Sequence, residues 1–480
     1  MSSATSASLW AVAGGAGTRG ISFLVFLFIA RQLSPADMGV MAIAMAFSLF
    51  MDALNELGMP DQIVRFKGSD TDAFVHSVFW MQLCMSVFGA GLLLAWTPWL
   101  VHWYAEPQLT LACSGVALAG IFTAASQTPL ALLHKHMAFR AIAIRNTMAT
   151  LVGGAVGLFM AYTGHGLVAL VVMHVVNALT GLVVAFWSSA WRPAWHHNWH
   201  SVRTVWPLAW HSMGTRLLET VTSRLDQLMI GAFFGTTVLG FYALAVRFFD
   251  VIFQTICGPI AAVLFSFLAE KHDEPEALRQ RYLMSLRNLA LFAPVVFLMA
   301  ALVLPELLGL LFGPKWAPVT PYLHIILGAG VVLAVTFSHT AVFSAIGQPR
   351  VNFWVSLGSS FLWLGSLCLL PGLGALYAAL LWVLRMALGI PVQLYVLRRV
   401  TTITLQDYAK AVAPGCLTVL GVSLLAGGLM PNEGSSAFQV IGLLAGLCVA
   451  SIAIVMFMGV RYSEALRRRL ASRGYGWGSR

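Results

Sequence analysis

The sequence predicts an all-α polytopic membrane protein with about 14 transmembrane helices, arranged as two six-helix lobes in parallel pseudo-two-fold repeat plus two extra C-terminal helices. Three observations lead to this fold class. The 480-residue chain is 59% hydrophobic and only 10% charged, which is outside the usual range for soluble domains. Apolar runs of 18 or more residues follow one another, each long enough to cross about 30 Å of hydrocarbon. The tripeptide Gly-Thr-Arg occurs at 17–19 and again at 214–216, once early in each half.

Each predicted helix corresponds to one apolar run. The predicted spans are 8–31, 37–58, 74–98, 109–132, 141–162, 166–189, 205–233, 237–268, 286–312, 319–345, 352–370, 373–397, 410–430 and 438–460. Strand-like alternation, which a membrane barrel requires, does not occur in these runs. The predicted organisation is an N-lobe at 1–190, a cytoplasmic linker at 191–204, a C-lobe at 205–397, two further helices within 398–460 and a basic cytoplasmic tail at 461–480.

Lysine and arginine positions predict the orientation. With the N-terminus in the cytoplasm, we assign 21 of the 28 basic residues to the cytoplasmic side, two (Arg31 and Lys315) to the opposite side and five to spans. This excess in short loops is the positive-inside pattern, so both termini are expected in the cytoplasm. The net charge of +10 reflects this topology rather than nucleic-acid binding, because no soluble domain gathers the basic residues.

The internal repeat extends beyond Gly-Thr-Arg. Residues 29–44 align with 230–245 at a constant offset of 201, which places Gly39 over Gly240. Residues 164–167 align with 372–375 at an offset of 208. Six spans separate the copies, so both have the same orientation and are related by an axis along the membrane normal. The glycine runs at 14–20 and 153–157 are expected to let helices approach closely.

Polar residues inside the spans are the candidate functional residues. An arginine at the middle of a membrane helix costs about 3 kcal/mol even on lenient scales, so its side chain normally faces protein or water. On helical wheels the polar positions fall on one face of each helix. They cluster in the first two helices of each half: Arg19; Asp52 and Glu56; Arg216, Glu219, Arg224 and Asp226; Arg247, Asp250 and Gln254.

Two interpretations of these charges remain open. Two of the second-half arginines have an acid three residues away, so each can form an internal ion pair or contact a ligand. Arg19 has no acid within a turn, so its partner must lie on another helix or on a substrate. Asp52 and Glu56 are candidates for that partner, or for carrying a coupling proton.

Other residue types indicate neither a cofactor nor a metal. The six cysteines lack metal-ligand spacing, and the His and Trp cluster within 191–200 has no accompanying acid or cysteine. The chain contains no P-loop, so no ATP motor is expected. Outward loops of about ten residues or fewer carry only Glu106 and Glu433 as acids. An integral-membrane glycosyltransferase, polymerase or ligase is therefore disfavoured, and we expect no enzyme.

Three stretches resemble a known family. Residues 225–247 resemble the second-half signature of bacterial polysaccharide exporters. The matching stretches are Leu225-Asp226-Gln-Leu-Met-Ile230-Gly231, Leu239-Gly240-Phe-Tyr242 and Ala245-Val-Arg247. Residues 30–39 resemble the first-half counterpart, and residues 136–140 fit the same family. The whole chain thus resembles the lipopolysaccharide and exopolysaccharide exporters, or oligosaccharidyl-lipid flippases, of the MOP superfamily, close to the colanic-acid exporter branch.

The resemblance implies a MATE-like fold in the bacterial inner membrane, with two lobes that face a central cavity. It also implies alternating access that carries an undecaprenyl-diphosphate-linked oligosaccharide from the cytoplasmic to the periplasmic leaflet. Membrane lipids, a polysaccharide polymerase or other assembly proteins, and a coupling proton or sodium ion are the implied partners. A lipid II-type flippase and a multidrug or cation antiporter of the same fold remain alternatives.

The implied substrate agrees with the candidate residues. Guanidinium groups replace the water around phosphates with bidentate hydrogen bonds. We expect four arginines (Arg19, Arg216, Arg224 and Arg247) to bind the diphosphate. The acids Glu219, Asp226 and Asp250 are expected to position them, with Gln254 available to the sugars.

Overall fold

The computed structural model of the chain describes residues 2–56, 63, 71–195, 199–270, 274–347, 350–369, 372, 374–401 and 403–429. At some helical positions, among them 2–14 and 199–223, the description covers the backbone only. Within these ranges the chain forms helices, turns and loops, without a β-strand. The predicted span at 438–460 and the tail at 461–480 lie outside the described residues.

Besides a 3-10 helix at Pro314–Val319, the described part of the chain contains twelve α-helices. They are α1 (Ser2–Gln32), α2 (Pro35–Glu56), α3 (Thr71–Tyr104), α4 (Leu109–Lys135), α5 (Phe139–Tyr162), α6 (Leu167–Ser189), α7 (Trp199–Ala269), α8 (Pro275–Phe312), α9 (Thr320–Ala345), α10 (Arg350–Leu369), α11 (Ala375–Thr401) and α12 (Leu405–Leu429). Ten segments of the described residues are long and apolar enough to cross a membrane. The all-α multi-pass class is confirmed, whereas the count of 14 stays a prediction.

Helix α7 combines two of the predicted spans. The sequence predicts a break between 233 and 237, and the structure has a bend there rather than a loop. Gly235 has φ of 84° and ψ of 168°, outside the helical range, and φ in this region favours glycine. The bend divides α7 into a first arm before Gly235 and a second arm after it.

The chain divides into two compact units, unit 1 from Met1 to Leu244 and unit 2 from Ala245 to Arg480. The lobe boundaries drawn from the sequence stay a prediction. In unit 1, α3 packs on α4, α4 packs on α6 and α5 packs on α6. In unit 2 the same pairings recur as α8 on α9, α9 on α11 and α10 on α11. This recurrence, with the same order along the chain, supports the internal repeat.

The two glycine runs behave differently. The prediction of close approach is confirmed at 153–157, where a methyl group on Gly157 would lie 2.7 Å from Cβ of Met173 in α6. Gly154 lies against Val25, which brings α1 onto α5. For the run at 14–20 the prediction is wrong at its three described glycines. Methyl groups at Gly15, Gly17 and Gly20 would meet nothing within 4 Å, so these residues leave open space beside α1.

Candidate functional site

Arg19 lies near the middle of α1 with an exposed side chain. It forms no hydrogen bond or ion pair with any residue that the structure describes. The open space at Gly17 and Gly20 lies on either side of it in the sequence. One residue earlier, Thr18 and Thr147 place their hydroxyl oxygens 3.2 Å apart, which holds α1 on α5. The backbone of Arg19 is therefore fixed while its guanidinium remains accessible.

Arg224, in the first arm of α7, is the other candidate arginine of unit 1 whose side chain the structure describes. Its side chain is half-buried, and its Nε has no hydrogen-bond acceptor among the described residues. Neither Arg19 nor Arg224 pairs with Asp52 in this structure. The three candidate positions Glu56, Arg216 and Glu219 have side chains outside the described part of the chain.

Asp226 has a structural contact. Only 3% of the residue is exposed, and its Oδ2 accepts a hydrogen bond of 2.6 Å from the hydroxyl of the fully buried Tyr242. Asp226 belongs to the first arm of α7 and Tyr242 to the second, so this bond joins the two arms across the bend at Gly235. In this structure the Asp226 carboxylate therefore stabilises the bend.

The other candidates lie at more accessible positions. Asp52 is half-buried near the end of α2, and no described residue donates a hydrogen bond to its carboxylate. Arg247 and Gln254 are exposed on the second arm of α7, with Asp250 half-buried between them in the sequence. Exposure on a predicted membrane helix is compatible with contact to a polar ligand, and it leaves the assignment of these residues as a prediction.

Sequence reasoning missed Arg145. The charge count assigned it to the cytoplasmic side although it lies within the predicted span 141–162. In the structure it belongs to α5, and its guanidinium points into unit 1. Its three nitrogens donate to the Gly181 carbonyl (3.3 Å), to Asn146 Oδ1 (2.9 Å) and to Ser126 Oγ (3.2 Å). Its position within an apolar run was the signal available in the sequence.

A second missed feature is a contact between the two copies of the repeat. Gly39 in α2 lies directly against the carbonyl group of Thr236, and Gly240 lies directly against the carbonyl group of Pro35. Thr236 also donates a hydrogen bond of 2.6 Å to Glu106, which follows α3. The equal offset of the two glycines was visible in the sequence, but their mutual contact was not.

Metal-binding chemistry finds no support in the described residues. No group of three or more His, Cys, Asp or Glu side chains lies close enough to hold a metal ion there. The histidines at 196, 197 and 200 are outside the residues with described side chains.

The ten candidate spans, the repeated helix pairings and the bent α7 define an all-α multi-pass membrane protein with an internal repeat. The fold is similar to that of the lipid II flippase MurJ in an inward closed conformation, with a TM-score of 0.73 at 12% identity. That likeness covers 94% of this chain and 99% of MurJ. An inward-facing multidrug resistance MATE family transporter of the MOP superfamily has a TM-score of 0.54 at 14% identity, over 85% of this chain and 96% of that one.

The family follows from the sequence itself. Residues 28–321, more than half of the chain, match the family described as polysaccharide biosynthesis protein, and the chain belongs to this family. It is also 24% identical to the succinoglycan biosynthesis transport protein ExoT of Rhizobium meliloti (strain 1021) over 374 residues. That alignment covers 78% of this chain and 75% of ExoT. The expected family resemblance is thereby confirmed, and the likeness to MurJ and to the MATE transporter confirms the expected fold.

Proposed function

We propose that the protein is a flippase that moves a lipid-diphosphate-linked oligosaccharide, one repeat unit of a polysaccharide, from the cytoplasmic to the periplasmic leaflet. The observation that carries this proposal is membership of the polysaccharide biosynthesis family by a chain with the fold of a lipid flippase. The charge distribution supports a location of both termini in the cytoplasm, and the bacterial relatives support a location in the inner membrane. The protein acts as a transporter and not as an enzyme.

The accessible arginines supply the chemistry. A diphosphate loses its hydration when it enters a protein within the membrane, and charge-assisted hydrogen bonds replace that hydration. Arg19 is suited to this role because its guanidinium is exposed and engages no described residue. Arg216, Arg224 and Arg247 are the further proposed cations, with Glu219, Asp226 and Asp250 positioning them and Gln254 facing the sugars.

Asp52 and Glu56 are proposed coupling residues. A half-buried carboxyl group without a described donor, as at Asp52, is able to change its protonation state without breaking a structural contact. Asp52→Asn removes this titration and retains the shape of the side chain. If Asp52 carries the coupling proton, export by this variant will no longer respond to the transmembrane pH gradient.

A lipid II-type flippase is the second candidate, and the fold of MurJ is the observation that favours it. Deletion of the chain, followed by mass analysis of the accumulated lipid-linked intermediates, separates the candidates. A complete polysaccharide repeat unit on its lipid diphosphate, retained in the cytoplasmic leaflet, is the expected result. Accumulated lipid II supports the second candidate, and truncated or unlinked sugars indicate an enzyme.

The arginine assignment has its own test. Arg19→Gln and Arg19→Lys are compared at matched membrane abundance, with the exposed Arg31→Gln at the end of the same helix as control. We expect export to fall about tenfold or more in Arg19→Gln, since hydrogen bonds to charged groups contribute strongly, and to recover in part in Arg19→Lys. Unchanged export in both variants removes Arg19 from the site.

A further inference from the structure

Arg145 is a membrane-embedded cation whose described partners are all neutral. It lies six residues after the start of α5, about 9 Å into the helix. Its three acceptors are a backbone carbonyl, an amide and a hydroxyl. No carboxylate in the described residues forms an ion pair with it. A cation within a bundle normally faces an anion or a watery cavity, so this arrangement leaves its positive charge uncompensated by the protein.

The direction of the side chain excludes snorkelling to the cytoplasm as the explanation. Ser126 lies nine residues before the end of α4, and Gly181 lies eight residues before the end of α6. Both acceptors are therefore about 12–14 Å from the predicted cytoplasmic ends of their helices. The guanidinium thus contacts α4 and α6 about two turns inside their predicted cytoplasmic ends, whereas a snorkelling arginine extends outwards to the interface.

Gly181 provides the space for this orientation. A methyl group at position 181 would lie 2.8 Å from an Nη atom of Arg145 and 3.1 Å from its Cζ. The guanidinium therefore lies flat against the bare backbone of α6. Ser126 and Asn146 hold its other two nitrogens. The arrangement fixes the plane of the group before any ligand arrives, which lowers the entropic cost of binding.

The orientation leaves donors for a ligand. A guanidinium has five N–H groups, and three of those in Arg145 donate to described protein acceptors. Two therefore remain, and the residue is only partly buried. An oxyanion is the ligand that matches a preorganised positive charge with two free N–H donors.

We infer that Arg145 forms an oxyanion subsite inside unit 1, in the cytoplasmic half of the membrane, which receives a phosphate of the lipid-linked diphosphate. Gly181, Ser126 and Asn146 are its positioning residues. The depth agrees with a substrate that enters from the cytoplasmic leaflet and whose diphosphate has moved from the interface into the protein. The inference rests on the proposed function for the identity of the lipid, and the oxyanion chemistry rests on the geometry alone.

The test compares four purified proteins in nanodiscs: wild type, Arg145→Gln, Arg145→Lys and Gly181→Val. The probes are a polyprenyl diphosphate, the matching polyprenyl alcohol and inorganic pyrophosphate. We expect wild type to bind the diphosphate lipid, with about tenfold or greater loss in Arg145→Gln and partial recovery in Arg145→Lys. Gly181→Val retains the arginine but displaces its guanidinium, so it should weaken diphosphate binding as Arg145→Gln does.

Arg140→Gln is the matched control, because it removes one positive charge from an exposed position in the first turn of the same helix. It should bind the probe as wild type does. Thermal unfolding of each variant shows whether Arg145 has a merely structural role. In that case the unfolding midpoint would fall, but the folded variant would bind the diphosphate lipid as tightly as wild type does. If Arg145→Gln does not fold, Arg145→Lys and Gly181→Val decide: wild-type affinity in both overturns the subsite.

The outcomes separate this inference from the proposed function. If wild type and folded Arg145→Gln bind the diphosphate lipid equally well, the subsite is overturned and the flippase proposal is left intact. Failure of wild type to bind any diphosphate overturns the subsite, and retained repeat units in the deletion strain would still support export. Equal binding of free pyrophosphate and diphosphate lipid identifies a general phosphate site and overturns the assignment to the lipid-linked substrate.

Discussion

The two copies of the repeat form the same contact with each other but begin their helices differently. Gly39 lies on the carbonyl group of Thr236, and Gly240 lies on the carbonyl group of Pro35. Both the two glycines and the two carbonyl-bearing residues are 201 positions apart in the chain. The contact is therefore reciprocal, as a pseudo-two-fold axis between the helices requires. Close approach of the backbones depends on the missing side chains.

Local stabilisation, by contrast, differs between the copies. In the first copy, Ser34 caps α2: its Oγ accepts the Asp37 N–H at 3.1 Å, and Asp37 Oδ2 accepts the Ser34 N–H and O–H. In the second copy the position equivalent to Ser34 is Gly235, whose positive φ makes the bend in α7. There Thr236 donates to Glu106 instead. The repeat thus requires the glycine contact, whereas each copy starts its helix with its own hydrogen bonds.

The largest loss of stability should follow from substitutions that fill the reciprocal contact between the two copies. Gly39→Val and Gly240→Val each place a branched side chain onto a carbonyl group with no room to relax, which costs about 1–3 kcal/mol or more. We expect both variants to lose most of the folded protein after heating in detergent, measured by size-exclusion chromatography. Gly91→Val in α3 is the control, because a methyl group there meets nothing within 4 Å. A large loss in only one of the two variants would contradict reciprocity.

Removal of the hydrogen bond from Thr236 to Glu106, which is specific to the second copy, should cause the next largest loss of stability. Thr236 is buried, and Thr236→Val removes the donor from a charged acceptor while it preserves the shape of the side chain. We expect the free energy of unfolding to fall by about 1.5–3 kcal/mol. The exposed neighbour Thr237→Val should have little effect. Glu106→Gln keeps an acceptor oxygen, so a loss as large as that of Thr236→Val would show that the contact depends on charge.

The sequence was sufficient to predict those features of the fold that can be found from the residues of single segments. Apolar length located the helices, and the offset of 201 paired Gly39 with Gly240. It did not predict that these two glycines touch, because a repeat alignment contains no information about which surfaces of its copies meet. The bend at Gly235 was anticipated only as a break between spans, since periodicity does not distinguish a bend from a loop.

The candidate site was predictable only in part for the same reason. Arg19 was identified because no acid lies within a turn, and the structure shows no described partner for it. Arg145 was assigned to the cytoplasmic side because a charge near a helix end resembles a topology signal. Its orientation depends on Gly181, 36 residues away, and on Ser126 in a third helix. Such contacts between helices leave no local pattern in the sequence.

The helix cap of the first copy should have a smaller effect than the contacts of the second. Ser34→Ala removes the acceptor of the Asp37 N–H and should lower the free energy of unfolding by about 1 kcal/mol. Ser34→Gly should cost only a few tenths of that, because glycine is tolerated at helix N-caps. The two variants are compared by thermal unfolding in the same detergent. A loss near zero in Ser34→Ala would show that the Ser34 hydroxyl contributes nothing as a cap.

The smallest effect is expected from a similar cap in unit 2, where Thr404 and Asp407 repeat the bonds of Ser34 and Asp37 at the start of α12. Here Arg279 adds a hydrogen bond of 2.7 Å to Asp407 Oδ2, and this bond with those of Thr404 lowers the pKa of Asp407 to about 2. A carboxyl group with a lowered pKa in the folded state stabilises fully above its unfolded pKa of about 4, and this contribution is lost as the pH falls from about 4 to about 2.

Asp407→Asn should therefore reduce the acid dependence of the unfolding midpoint between about pH 4 and pH 2. At neutral pH its free energy of unfolding should differ from that of wild type by at most about 1 kcal/mol, since the Arg279–Asp407 pair is partly exposed. Arg279→Gln should move the acid-sensitive range upwards, because the pKa of Asp407 rises towards its ordinary value once its main donor is removed. Unfolding curves across this pH range distinguish the two variants. An identical acid response in wild type and Asp407→Asn would show that the additional arginine does not distinguish the unit 2 cap from the Ser34 cap.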